Sequence, residues 1–292
     1  MRVDWIDALK GVAILMVVTV HVSQAIPMPE WAKLVGSFGA MGVQLFFLLS
    51  AYCLCMTWKG GEPFTAKVML KWLLRKYRRL APWYLAGVAI YAVIAWIDHG
   101  KASLSVYSPA NIVANCFFVN GFVSQAQNSI VPGGWSISCI ALFAFAFPMI
   151  RRLNMATLLL VGIFGCAVSI VGYQWFGWSR FYAYCVPFNQ FIVFVLGICL
   201  YKFRDRVRLL PGVVMALLFC FLAVVAVVFG REYNIFYRHI LMAVSFWGLA
   251  SVMMCMSVSW WRGLLWIGQH SYEIFILHFA AIWGAGKLVL MT

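Results

Sequence analysis

Long apolar runs separated by short polar connections dominate this chain, and they restrict it to folding in a bilayer. Hydrophobic residues fill 65% of its 292 positions and charged residues only 10%, with a mean hydropathy of +0.92, whereas soluble domains carry about 25% charged residues. A helix of about 20 apolar residues spans the hydrocarbon core, and in lipid it satisfies every backbone donor and acceptor within its own segment. The expected fold is an all-α, polytopic transmembrane helix bundle of about nine or ten membrane helices, formed as a single integral-membrane domain over residues 1–292. The spans are read at 6–26, 38–57, 79–97, 135–150, 155–175, 182–201, 209–229, 238–257 and 263–290. The stretch 109–123 is apolar but short, which fits an interfacial or re-entrant piece.

The net charge is +14, a balance that in a soluble protein points to nucleic acid. Its distribution points to a membrane instead. With the N-terminus inside, the cytoplasmic connections collect Lys67, Lys71, Arg75, Lys76, Arg78 and Arg79, then Arg151 and Arg152, then Lys202, Arg204, Arg206 and Arg208. That is the positive-inside pattern. It predicts a multi-pass protein of the cell (inner or plasma) membrane with a cytoplasmic N-terminus, partnered by lipid and not by nucleic acid. The first span reads as uncleaved and not as a signal peptide, because Asp4 and Asp7 flank it and Lys10 lies inside it. The nine Cys and 14 Met are scattered through apolar runs without a CxxC pair, so they read as helix packing with no metal site.

Ionisable groups at membrane depth are costly and usually mark a pathway or site. The first span holds two, Lys10 and His21. Eleven positions at 100° each leave their side chains about 20° apart on a helix, and roughly 16 Å apart along its axis. A polar path from one membrane surface towards the other is the natural reading. The second span carries Gln44 and Ser50 beside Gly39 and Gly42. The glycines suit close approach of a neighbouring helix; Ser50 either bonds its own i−4 carbonyl or lines a site. The cluster Arg75-Lys76-Tyr77-Arg78-Arg79 reads as a loop ahead of a helix opened by Pro82. It serves either as a topology anchor or as a phosphate site. Ser136, after Pro132-Gly133-Gly134-Trp135, is either a helix N-cap or a cavity hydroxyl. Asn189 and Gln190 are expected near the outer face. In the last span His270 and Glu273 are spaced to share a face, with His278 about 140° away from Glu273.

These pieces in this order resemble the acyltransferase 3 family of integral membrane acyltransferases, from Asp7 to about His278. Lys10 and His21 resemble its Arg-x10-His signature with Lys in the Arg place. Gly42 to Ala51 resembles its GVxLFFxLSG segment, with Ala51 for the last Gly. Lys76 and Arg79 fall in the places of its Arg-x-x-Arg pattern. Gly134-Trp135-Ser136-Ile137 resembles its GWSI turn, and Ser271-Tyr272 with Ile276-Leu277-His278 its last-span SY…LH. Ile140 departs from the pattern: the family often carries Glu five residues after that Trp.

The resemblance implies an O-acyltransferase that moves an acyl group, commonly acetyl, from cytoplasmic acyl-CoA to a hydroxyl of an extracytoplasmic carbohydrate or lipid-linked glycan, with no metal. Arg75, Lys76, Arg78 and Arg79 would hold the CoA phosphates, and Lys10 would stabilise the donor. His21 would act as general base or accept the acyl group itself. Ser50 and Ser136 are candidate oxyanion donors. Trp135, Asn189 and Gln190 are candidate sugar contacts on the outer side, with Glu273 and His278 completing the substrate site. The alternatives are a transporter or flippase of a lipid-linked sugar or small acid, and a degenerate relative marked by Ile140.

Overall fold

The structure is a computed structural model that describes residues 3–58, 65–228, 234–258 and 261–291. Its helices are α1 (Asp4–Ala25), α2 (Glu30–Ser37), α3 (Gly42–Thr57), α4 (Ala66–His99), α5 (Pro109–Cys116), α6 (Gly134–Ile150), α7 (Met155–Trp175), α8 (Arg180–Cys185), α9 (Pro187–Lys202), α10 (Leu209–Val228), α11 (Asn234–Cys255), α12 (Arg262–Gln269) and α13 (Ser271–Met291). No strand occurs among the described residues. Among the described residues, seven segments are long and apolar enough to cross a membrane, two of them formed by α2 running into α3 and by α8 running into α9. The all-α polytopic bundle expected from hydropathy is therefore the observed fold. The other two expected spans differ: α6 is apolar but only 17 residues long, and residues 263–290 are not one helix.

Three local readings are corrected. The basic cluster is not a loop. It lies inside α4, a helix of 34 residues capped by Thr65, whose side chain accepts from the Val68 amide at 3.3 Å. Lys and Arg are good helix formers, and 34 residues extend about 51 Å, well beyond a bilayer core, so the cationic first half needs no break from the apolar second half. Pro82 sits within this helix and opens none. The last span breaks at His270, which caps α12 outside helical geometry. Residues 109–123 form short α5 and a following turn, pinned by buried amides: Asn115 accepts from the Tyr84 hydroxyl at 2.8 Å, and Gln127 donates to the Gly121 carbonyl at 3.0 Å.

α9 is the helix around which the others gather, packed against α3, α7 and α11. The start of α3 and the turn before it lean on α1 along Gly42 and Gly39, as their spacing suggested; a Cβ on Gly42 would meet the Ala13 carbonyl oxygen and one on Gly39 the Met16 carbonyl oxygen. α4 is tied to α13 by two hydroxyls. Tyr272 donates to the Leu80 carbonyl at 2.7 Å, and Tyr91 donates to the Ile276 carbonyl at 2.7 Å.

The tightest crossing joins α12 to α1. A Cβ on Gly268 would lie 1.7 Å from the Asp7 carbonyl oxygen, whereas one on Gly263 of the same helix would meet nothing within 4 Å. Overpacking of this kind costs about 1–3 kcal/mol. Gly268→Ala is expected to lower the thermal midpoint of the detergent-purified protein by several degrees, and Gly263→Ala to leave it nearly unchanged, read by intrinsic tryptophan fluorescence.

Candidate functional site

α1, α3, α4, α6, α12 and α13 enclose a cavity of about 450 Å3. Its polar lining brings together Lys10, Ser50, Lys76, Arg79, Ser136 and Glu273, residues far apart in sequence. On a helix, positions three apart share a face and neighbours are turned by 100°. Lys76 and Arg79 therefore face the cavity together, while Arg75 and Arg78 are exposed on the adjoining face and do not line it. The Lys76 ammonium stands 4.1 Å over the Trp72 ring, a cation–π contact that aims it. Trp72 is itself anchored by donating its indole N–H to the Ala144 carbonyl at 2.7 Å. Lys10 forms an ion pair with Asp7 at 3.3 Å, so its charge is shared before any ligand arrives.

Ser136 is not a cap. α6 begins after Gly133, whose φ of +78° suits glycine, and the Ser136 hydroxyl donates back to the Gly133 carbonyl at 2.8 Å. Ile140 stands on the cavity wall, and the one carboxylate lining that cavity is Glu273 from α13. Sequence reasoning missed Gln269, which enters the lining only because the chain turns at His270. That turn also undoes the expected pairing of His270 with Glu273. The His270 ring packs at a tilt against Trp266 with centroids 4.5 Å apart, and the residue does not line the cavity.

His21 does not line this cavity either. It lies three turns further along α1, where its ring faces His278 with centroids 5.2 Å apart, and Phe279 packs on both, at 4.2 Å from His21 and 4.5 Å from His278. Between the histidine pair and the cavity stands Phe275. Phe275 lines the cavity, its ring is 5.7 Å from that of His278, and its carbonyl accepts from His278 Nδ1 at 2.7 Å. A Cβ at position 133 would meet the Phe275 ring at 2.9 Å, so Gly133 leaves the ring its seat.

On its other side, His21 Nδ1 is 3.2 Å from Gln24 Oε1, and Gln24 lines a second cavity of about 470 Å3 with Ser23, Lys33 and Ser37. Contacts thus run from one cavity through Phe275, His278, His21 and Gln24 to the other.

The expected sugar contacts are elsewhere. Asn189 and Gln190 are fully buried, both donating to the Tyr184 carbonyl, at 2.9 and 2.6 Å. Gln44 donates to the Tyr184 hydroxyl at 2.9 Å and to Gln190 Oε1 at 3.1 Å. Trp135 packs edge-on against Phe47 and Tyr184. These groups hold α3, α6, α8 and α9 together: amides at membrane depth must find partners, and they find each other. Gln44, Asn189 and Gln190 expose none of their surface.

A family model described as an acyltransferase domain matches residues 3–292. No curated protein and no solved structure matches the chain.

The cavity makes a chemical prediction. Cys53 lines it, whereas Cys139 and Cys185 are fully buried in the core. N-ethylmaleimide is expected to modify Cys53 while leaving Cys139 and Cys185 intact, as read by peptide mass spectrometry. Modification of the two core cysteines ahead of Cys53 would contradict the cavity.

Proposed function

This chain belongs to the acyltransferase 3 family and is a multi-pass membrane acyltransferase; on that footing we propose that its donor is acyl-CoA, taken up at the basic, cytoplasmic side as the acetyl ester, and that its acceptor is a hydroxyl of an extracytoplasmic carbohydrate or lipid-linked glycan. One observation carries this reading: the two cavities are joined by an unbroken series of contacts centred on a histidine pair. A transferase that takes its donor on one side of a membrane and its acceptor on the other needs two chambers and a shared wall.

Lys76 and Arg79 suit the CoA phosphates, since guanidinium and ammonium groups make charge-assisted bonds to phosphate oxygens. Arg75 and Arg78 are exposed beside them and draw anions to the opening by their charge. Lys10 sits deeper and faces the thioester arm. Ser50 and Ser136 offer hydroxyls to a carbonyl oxygen that gains negative charge. His21 takes the acceptor hydroxyl proton as the new C–O bond forms and the C–S bond breaks, releasing CoA as a thiolate that is then protonated. With Asn189, Gln190 and Trp135 occupied in the core, the acceptor's approach is the cavity of Ser23, Gln24, Lys33 and Ser37. The orientation follows the cation distribution: an inner-membrane protein with its N-terminus in the cytoplasm.

A second reading, a catalytically degenerate relative, has one observation behind it: Ile140 on the cavity wall. Glu273 on the same cavity answers it by supplying a carboxylate from another helix. If Glu273 serves in its stead, Ile140→Glu gains no activity, and Glu273→Ala loses most of it.

Purified protein in nanodiscs tests the donor assignment with acetyl-CoA. Lys76→Ala and Arg79→Ala are each expected to weaken binding by about tenfold, the loss of one charge-assisted bond, while Arg75→Ala stays within about twofold. His21→Ala should bind as wild type and lose about 10²–10⁴-fold in turnover. Binding indifferent to Lys76 and Arg79 would refute the assignment.

A further inference from the structure

Arg151 belongs to the basic cytoplasmic set but does not line the cationic cavity. It stands at the end of a ladder of aromatic rings that leads away from that cavity. The cavity lining reaches Thr57 on α3, Lys76 on α4 and Ala144 on α6. Just beyond each, one cluster continues: Trp58 next to Thr57, Trp72 one turn before Lys76, and Phe147 and Arg151 one and two turns past Ala144. The contacts are successive. The Lys76 ammonium stands 4.1 Å over the Trp72 ring, the Trp72 and Trp58 rings have centroids 4.8 Å apart, and the Arg151 guanidinium carbon stands 4.7 Å over the Trp58 ring. Phe147 stacks on Trp72 at 6.0 Å and meets Trp58 edge-on. Trp72 and Phe147 are buried, so the ladder is packed within the end of the bundle, while Arg151 is exposed.

Two groups of this ladder are incomplete. A buried indole N–H usually finds an acceptor. Trp72 has the Ala144 carbonyl at 2.7 Å, but Trp58 Nε1 is buried with no acceptor among the described residues. The Arg151 side chain, with five N–H donors, makes its cation–π contact but no hydrogen bond or ion pair among the described residues. We propose that the ladder is the nucleotide subsite of the donor: Arg151 holds the ribose 3′-phosphate of CoA, and Trp58 meets the adenine and donates its indole N–H to a ring nitrogen. This rests on the acyl-CoA reading above. The order of groups agrees. Lys76 and Arg79 in the cavity suit the pyrophosphate, and the ladder continues from Lys76 to a further cation, as CoA continues from its pyrophosphate to a separate phosphate monoester beside the base. A guanidinium matches the oxygens of a phosphate monoester, and an aromatic face accepts a base by stacking. Trp58 has no hydrogen bond to break in turning its ring towards that base.

Acetyl-dephospho-CoA lacks only the 3′-phosphate, so the ratio of the two affinities on one preparation isolates that group. Binding of acetyl-CoA and acetyl-dephospho-CoA is measured on the protein in phosphatidylcholine nanodiscs, which hold no lipid phosphate monoester. Wild type is expected to bind acetyl-CoA about tenfold more tightly. Arg151→Ala is expected to bind both alike, at the wild-type affinity for acetyl-dephospho-CoA, and Arg151→Gln serves if the Ala protein fails to fold. Lys76→Ala should weaken both and keep the ratio. Trp58→Phe, which keeps a ring and drops the N–H, should weaken both by about fivefold. An Arg151 variant that keeps the wild-type ratio would leave its guanidinium to a lipid headgroup and overturn the subsite, as would a wild type that does not distinguish the two thioesters. A Trp58→Phe protein of wild-type affinity would overturn the part given to Trp58. If wild type binds neither thioester, or Lys76→Ala and Arg79→Ala bind both as wild type does, the acyl-CoA reading itself fails, and the subsite with it.

Discussion

The crossing of α12 over α1, backbone against backbone at Gly268 and Asp7, is the contact on which the rest of the site depends. It fixes where the chain turns at His270 and hence the register in which α13 runs beside α1. α1 carries Lys10 at one level and His21 at another, roughly 16 Å further along. α13 answers with Glu273 on the first cavity and His278 at the second level. A shift of one residue on either helix of this pairing would rotate those side chains by 100° and part them. Only a glycine permits the crossing, because any Cβ there would occupy the space of the Asp7 carbonyl.

Phe275 gives that arrangement its second property. A protein that joins two sides of a bilayer through polar groups needs a partition to keep the two from communicating freely. The Phe275 ring stands between the cationic cavity and the histidines, with Phe46 at its edge 6.3 Å away and Gly133 behind it. Its backbone carbonyl holds His278 in one tautomer. One residue thus separates the chambers and orients the imidazole beyond them.

Much of this was legible from residue order alone. Apolar run length reported the helical bundle, since runs of about 20 residues satisfy their backbone in lipid as helices, whereas barrel strands are about half as long. The spacing of Lys10 and His21 set their offset along one helix, and α1 carries both, with Lys10 on the cationic cavity and His21 beyond it. What was hidden arose from tertiary contact. Helix propensity let α4 run through its cations without a break, where a charge cluster reads as a loop. Gly268 stands two residues ahead of the turn at His270, but its place is set by the docking of α12 on α1, and one glycine in an apolar helical run does not announce a break. Asn189 and Gln190 read as ligand groups because polar residues at membrane depth point to function. Here they meet Gln44 and Tyr184, partners about 140 residues away or across a helix turn, which no local pattern reveals.

One series of contacts leads from the cationic cavity past Phe275 to the histidine pair. A cryo-electron microscopy structure of the protein in nanodiscs with a non-hydrolysable thioether analogue of acetyl-CoA tests it directly. Phosphate density is expected against Lys76 and Arg79, and the acyl end of the analogue against Phe275. Density with the phosphates at the cavity of Ser23, Lys33 and Ser37, or an acyl end directed away from Phe275, would contradict it.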